Sequence, residues 1–287
     1  MLLSDFIRSG TARLETLYPS PEARGLVLML CEELLGVKRY THIVEPETAV
    51  PPEREAELTA GLDRLCAGEP VQYVLGVAEF CGHRFAVGPG VLVPRPETEQ
   101  LVAEAVRALR EMDLDRAPRV LDLCTGSGCI AWSIAKEIRD AEVVGVDLSE
   151  EALRYARNQL PSSGASPAFL QADVLDTEQP FPCGPFDLIV SNPPYVLERE
   201  RAQMRPNVLD WEPGLALFVP DDDPLRFYHA VARWAQRLLR PGGAGLVEIN
   251  ESLGAETAAV FREAGFKNVQ ILPDFARKNR FIRFFSF

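Results

Sequence analysis

Positive charge is what this chain is short of. Its 287 residues carry 30 lysines and arginines against 42 aspartates and glutamates, a formal net charge of -12 at pH 7. A protein that neutralises many phosphates needs the opposite balance, so the overall field counts against a nucleic-acid partner. Long apolar runs are missing too. No stretch approaches the roughly 20 consecutive apolar residues that span a bilayer. The start, Met1-Leu2-Leu3-Ser4-Asp5, has no basic segment ahead of an apolar one, so no export signal is expected and the expected location is cytoplasmic. Cysteine and histidine are scarce and scattered. Cys31, Cys66, Cys81, Cys124, Cys129 and Cys183 form no Cys-x-x-Cys pair and have no histidine at ligand spacing. That excludes the familiar zinc patterns, no metal is expected, and the thiols read as reduced and mostly buried. His42, His83 and His229 stand alone, with no nucleophile or carboxylate motif beside them. Internal repeats and low-complexity tracts are absent. What remains is ordinary globular composition, 47% hydrophobic and 25% charged, on a chain long enough for one large core or a medium core plus an accessory domain.

The order of signals along the chain favours the second arrangement. A helix near Phe6 to Leu17 is followed by Ser20-Pro21, an N-cap with proline behind it, and by Ala23, Leu26, Val27, Leu30 and Leu34 at helical spacing up to Gly36. Another helix opens at Pro51-Pro52, carries Leu58, Leu62 and Leu65 on one face, and stops at Gly68. Residues 1–75 are thus expected to form a small all-α bundle. Phe80 to Val93, with Phe85 and Val87 alternating between glycines, reads as a hairpin within a linker over 76–96. Pro94-Arg95-Pro96 ends extended structure, and Glu97, Thr98 and Glu99 favour a helix start. From Arg119 the pattern becomes alternating strands and helices. Apolar runs fall at 120–123, 143–146, 169–170, 188–190, 246–249, 269–272 and 281–285. An open α/β sheet covered on both faces is expected over 97–287. The last two runs are too close for a crossover helix, which predicts an antiparallel pair.

Two motifs carry chemistry. Asp122-Leu123-Cys124-Thr125-Gly126-Ser127-Gly128 lies between the first strand and the next helix. Gly126 and Gly128 permit a sharp turn and close approach of a ligand, and the helix points free N–H groups at it. Asp147 ends the second strand, about 20 residues on, where an acid can hold both ribose hydroxyls. Gly126 to Ala131 also fits the nicotinamide-dinucleotide fingerprint, so this loop alone leaves the cofactor open. Asp122 within the strand could meet the ammonium of a methionine moiety, and Asp173 could reach an adenine amino group; both lean toward S-adenosylmethionine. The second motif is Asn192-Pro193-Pro194-Tyr195, directly after the apolar strand Phe186 to Ser191. A planar amide or aniline-type nitrogen is a poor nucleophile because its lone pair is delocalised. The Asn192 side-chain oxygen and the Pro193 carbonyl can accept its two N–H groups, the prolines keep the loop stiff, and Tyr195 offers a flat face. The bland alternative is a proline-rich turn capping a strand.

At these residues the chain resembles the HemK/PrmC family, the glutamine methyltransferases of peptide chain release factors. The likeness extends to Gly68-Glu69-Pro70-Val71-Gln72-Tyr73-Val74-Leu75-Gly76, to Val91-Leu92-Val93-Pro94-Arg95-Pro96-Glu97-Thr98-Glu99, to Glu212-Pro213 and Ala216-Leu217, and to Pro241-Gly242-Gly243 followed by Glu248. The resemblance implies an α/β, class I (Rossmann-like) seven-stranded methyltransferase domain with a small all-α N-terminal domain and a bridging β-hairpin. It implies S-adenosylmethionine as cofactor, S-adenosylhomocysteine as product, and the glutamine of a Gly-Gly-Gln motif as acceptor, a modification belonging to translation termination. Carried over by motif, Asp122, Cys124, Thr125, Gly126, Ser127, Gly128, Asp147, Asp173, Val174 and Asn192 would bind the cofactor. Asn192, Pro193, Pro194 and Tyr195 would hold the glutamine amide, and the N-terminal helices would recognise the release factor. A monomer touching neither membrane nor nucleic acid is the expectation. Adenine-amino methyltransferases of DNA or RNA share Asn-Pro-Pro-Tyr and form the alternative, although a basic recognition region is lacking; a binding module that has lost catalysis is a third reading. The chain departs from the family pattern at Cys124, usually glycine, which is tolerable unless positive φ is required there. It departs again at Val174, where some members carry an aromatic, at Leu253-Gly254, and across Asp274 to Arg280.

Overall fold

Proline sets many of the helix starts. It stands in the first two positions of α2 (Ser20–Leu35), α4 (Pro52–Cys66), α6 (Pro96–Glu111) and α9 (Pro206–Leu209), where its missing N–H costs no hydrogen bond. In α2 the expected cap is displaced by one residue. Ser20 is already helical and makes no side-chain cap, whereas Gly36 closes the helix at φ 67° as its position suggested. The computed structural model describes residues 1–112, 114–159 and 166–287. It falls into two units, Met1–Val77 together with Arg205–Trp211, and Ala78–Met204 together with Glu212–Phe287. No helix among the described residues is long and apolar enough to cross a membrane.

The first unit is helical. α1 (Leu3–Leu14), α2, α3 (Thr41–Val44), α4 and α5 (Val71–Leu75) surround a core in which Phe6, Ile7 and Leu14 of α1 meet Val27 and Leu30 of α2 and Leu58, Leu62 and Leu65 of α4. The segment Arg205–Trp211, which contains α9, packs with this unit; Arg205 pairs with Glu22 at 2.7 Å.

The second unit begins inside the first strand of a hairpin, β1 (Val77–Phe80) and β2 (His83–Ala86). Its turn residues Cys81 and Gly82 both have positive φ, the backbone of a tight two-residue hairpin. The hairpin therefore lies a few residues earlier than the glycine spacing indicated. Seven strands form the main sheet in the order β10-β11-β9-β6-β3-β4-β5. They are β3 (Arg119–Leu123), β4 (Glu142–Asp147), β5 (Ala168–Gln171), β6 (Phe186–Ser191), β9 (Leu239–Glu248), β10 (Lys267–Pro273) and β11 (Asn279–Phe285). A two-stranded addition pairs β7 (Val196–Leu197) with β8 (Phe218–Val219). β11 runs antiparallel to both neighbours, as the short β10–β11 connection required.

Alternation along the strands sends successive side chains to opposite layers. Val120, Leu188, Val190 and Leu246 face α6 and α7 (Cys129–Glu137), where Leu101, Val102, Ile130 and Trp132 meet them. Leu121, Leu123, Ile189 and Val247 face α10 (Arg226–Leu238) and α11 (Gly254–Glu263), packing against Tyr228, Trp234 and Phe261. α8 (Glu150–Arg157) follows β4, capped by the Ser149 side chain on the Ala152 amide. The chain runs outward through β3, β4 and β5, then returns to the far side of β3 as β6. That reversal opens a crevice at the carboxyl ends of β3 and β6, the usual ligand site of such sheets.

Candidate active site

Both chemical motifs lie at this crevice. Ser191 at the end of β6 is in register with Leu123 on one side and Val247 on the other, and its hydroxyl donates to the Leu123 carbonyl at 2.7 Å. One residue further, Asn192 therefore emerges between the loop after β3 and the end of β9.

The loop after β3 takes left-handed backbone at Cys124 (φ 61°), Gly126 (φ 56°) and Gly128 (φ 79°). A Cβ at Gly128 would sit 3.0 Å from the Ala156 Cβ and the Phe169 ring, so helix α7 approaches its neighbours closely there. A Cβ at Gly126 would meet nothing within 4 Å, which leaves its backbone open to a ligand. Asp147 clamps the loop from the end of β4: one carboxylate oxygen accepts the Gly126 amide at 2.8 Å and the other the Ser149 amide at 2.9 Å. Each oxygen retains a further lone pair for a ligand hydroxyl. Burial raises the Asp147 pKa against those amide donors.

Cys124 meets the condition that made its departure from glycine consequential, because φ is positive. A non-glycine residue in this region costs about 1–2 kcal/mol. Burial, with Asp147 and Asp122 nearby, pushes the thiol well above its ordinary value, so it is a neutral packing group. Cys124→Gly removes the backbone strain but loses thiol packing and makes the unfolded chain more flexible, by about 0.4–1 kcal/mol. Thermal melting is expected to move by no more than about 2 °C in either direction. A fall beyond about 4 °C would show that thiol packing outweighs the strain.

Cys124, Thr125, Gly126, Ser127, Asp147, Asp173, Val174, Asn192 and Pro194 line one and the same cavity in the second unit. The remaining sequence-predicted residues lie behind it. Asp122 is fully buried and accepts the Thr125 hydroxyl at 2.5 Å; burial pushes its pKa up to about 7. Gly128 caps α7. Pro193 is buried, and Tyr195 turns its ring onto the core and donates its hydroxyl to Glu248 at 2.9 Å. Asp173 lines the cavity and accepts the Leu175 amide, while the Val174 carbonyl accepts the Trp234 indole N–H.

The opposite wall was not assigned from sequence. Leu92, Pro94, Arg95 and Thr98 reach the cavity, as do Pro213 and Phe227. Glu212, itself buried, joins two of these segments: it accepts the Val93 amide at 3.0 Å and the Arg95 guanidinium at 2.6 Å. Both segments were visible as motifs, but 117 residues separate Arg95 from Glu212 and no local pattern says that they meet.

The cavity suits a nucleoside with a charged tail. It presents a glycine backbone free of side chains, a carboxylate at the end of β4, and the Ser127 hydroxyl; Ser127 Oγ and Asp122 Oδ1 are buried without a hydrogen-bond partner among the described residues. Residues 120–209 match the family model of a methyltransferase domain, and residues 5–76 match that of the PrmC N-terminal domain. The fold is that of a class I methyltransferase. The 16S rRNA N2 G1207 methyltransferase of Thermus thermophilus, solved with AdoMet and guanosine, shares it at TM-score 0.50 and 22% identity, over 74% of this chain and 50% of that one.

Sequence relatives are more specific. A release factor glutamine methyltransferase of Bacteroides thetaiotaomicron is 42% identical over 269 residues, 94% of this chain and 95% of the relative. Another, from Deinococcus radiodurans, is 36% identical over 284 residues, 99% of this chain and 98% of the relative. This chain belongs to the release factor glutamine methyltransferase family.

Proposed function

We propose that the chain methylates the side-chain amide nitrogen of the glutamine in the Gly-Gly-Gln motif of peptide chain release factors, with S-adenosylmethionine as donor. The observation that carries this reading is the placement of Asn192 and Pro194 on the same cavity as the Cys124–Gly128 loop and Asp147. Family membership supports the acceptor.

In this reading Asp147 receives the ribose hydroxyls. The turn Thr125 to Gly128 borders the tail of the cofactor by close approach, since its Thr125, Gly126 and Gly128 amides already donate to the Val146 carbonyl, the Asp147 carboxylate and the Thr125 carbonyl, and Asp173-Val174 border the adenine. Asp122 acts from behind, fixing Thr125. When bound, the cofactor supplies a methyl group on a cationic sulfonium. The chain's own task is to hold the acceptor amide: the Asn192 side-chain oxygen and the Pro193 carbonyl take its two N–H groups and localise its lone pair on nitrogen. Neither oxygen has to remove a proton before transfer. Pro193 and Pro194 stiffen the loop, so little order has to be gained at the moment of reaction.

The test is labelled S-adenosylmethionine with a recombinant release factor and its Gln→Ala form. Label on the unaltered factor alone supports the reading; label on neither, with cofactor bound normally, sinks it. The nucleic-acid alternative finds no support in the relatives' identity or in the net charge. Action on release factors places the chain in the cytoplasm, and we take it to work as a monomer.

We assign selection of the release factor to the helical unit. Adding the factor should slow amide hydrogen exchange by at least several-fold in α1 to α5. Unchanged exchange across residues 3–75, with protection confined to the second unit, would remove that assignment.

A further inference from the structure

Glu248 is a fully enclosed carboxylate with no part in the cofactor loop, and three elements converge on it. Thr98 comes from the first turn of α6, Tyr195 from the loop after β6, and Glu248 itself ends β9. The Thr98 hydroxyl donates to Glu248 Oε2 at 2.8 Å, and the Tyr195 hydroxyl donates to Oε1 at 2.9 Å. Asn192 Nδ2 in turn donates to Thr98 Oγ1 at 3.2 Å. Asn250 secures the other end of Tyr195, donating from Nδ2 to its carbonyl at 3.2 Å.

We propose that Thr98 and Glu248 are positioning residues that set the direction of the Asn192 amide, turning its Oδ1 toward the acceptor nitrogen. The inference rests on the methyl-transfer reading above and deepens it. A carboxylate offers only acceptors, so both of its neighbours must give their protons to it. Thr98 has a single hydroxyl proton, and Glu248 takes it. Toward Asn192 the threonine oxygen has nothing left but lone pairs. The asparagine must therefore present its NH2, because the reverse orientation sets two acceptors face to face with no proton between them. With the NH2 committed to Thr98, Oδ1 is the end left for the cavity that Asn192 lines. An asparagine without this relay can present either end, and its NH2 end repels the N–H of an acceptor amide.

Both hydroxyl donors fix the Glu248 carboxylate as acceptor at its two oxygens. Burial pushes the Glu248 pKa up and Glu97 adds to this, while Thr98, Tyr195 and the Arg280 guanidinium oppose it. Tyr228 donates to the Glu248 carbonyl at 3.2 Å and holds the strand end in place. None of these contacts follows from the Asn-Pro-Pro-Tyr motif alone, since Thr98 lies 94 residues from Asn192 and 150 from Glu248.

The experiment compares single-turnover methyl transfer by the full chain, with cofactor and release factor saturating, in wild type, Thr98→Val, Thr98→Ser and Glu248→Gln. Valine keeps the shape and removes the hydroxyl; glutamine keeps the shape and brings a donor into the relay. Both should slow transfer by about 10- to 100-fold, with the cofactor dissociation constant within about twofold of wild type. Thr98→Ser restores the relay and should transfer at nearly the wild-type rate. A second readout needs no substrate: the side-chain NH2 protons of Asn192, followed by NMR, should exchange slowly in wild type and Thr98→Ser and faster in Thr98→Val. Transfer by Thr98→Val at the wild-type rate, or unchanged Asn192 amide exchange, would overturn the inference. So would losses that follow melting temperature and cofactor affinity equally in all variants, serine included. A wild-type chain that labels no release factor counts against the functional reading, and the amide exchange then decides the inference by itself.

Discussion

Asn192→Ala should slow methyl transfer by about 10²–10³-fold while cofactor affinity changes by less than about tenfold. That loss follows from removing one oriented polar group that acts on the reacting centre. The asparagine oxygen is the acceptor that the relay from Glu248 through Thr98 aims into the cavity. Alanine leaves the acceptor amide with only the Pro193 carbonyl, so one N–H loses its partner and the lone pair stays delocalised into the carbonyl. The glycine loop, Asp147 and Asp173 are untouched, which keeps the proposed nucleoside subsites whole. Single-turnover rates beside calorimetric binding of the cofactor separate the two effects. A rate within threefold of wild type would remove Asn192 from the chemistry. Loss of rate and binding in equal proportion would make it a cofactor ligand only.

Gly245→Ala should destabilise the second unit by about 3 kcal/mol, through a single methyl group. On an open strand the same change is neutral or favourable by up to about 1 kcal/mol, because it restricts the unfolded chain. Gly245 differs because its cross-strand partner is Phe284, whose ring lies over the position where a Cβ would go. Phe284 cannot move aside: it is fully buried, stacked on Phe261 with centroids 4.2 Å apart and bounded by Phe266. The melting temperature should fall by about 6–12 °C. The double variant Gly245→Ala with Phe284→Ala should lose less than the sum of the single losses, since removing the ring removes the clash and the new methyl fills part of the space the ring leaves. A melting point within 2 °C of wild type for Gly245→Ala would show that the ring yields freely.

Much of the fold was legible because its signals are local. Apolar runs bounded by polar turns marked each strand of the main sheet, and prolines and glycines marked helix ends to within a few residues. The antiparallel β10–β11 pair followed from the length of its connection. That the glycine loop, Asp147 and Asn192 meet was legible as well, since each sits at a strand end and the doubly wound sheet brings strand ends to one crevice. Tyr195 shows where this reasoning stopped. Its type suggested a stacking face, but the hydrogen bond to Glu248 holds it against the core. Cys124 shows the same limit: its identity was known, while the sign of its φ belongs to the folded loop.

The sequence by itself determined the class of this protein: the order of its elements, the glycine loop, the Asn-Pro-Pro-Tyr motif and the family they mark. Each of those is written in residues that stand close together, where backbone preference and hydrophobic period act directly. Tertiary structure alone decided which side chains complete the site. The Arg95–Glu212 pair, the Thr98–Glu248 relay and the packing of Arg205–Trp211 with the helical unit join residues that are far apart in the chain. Such contacts are set by strand register and by the packing of helices on the sheet, and a one-dimensional pattern carries neither.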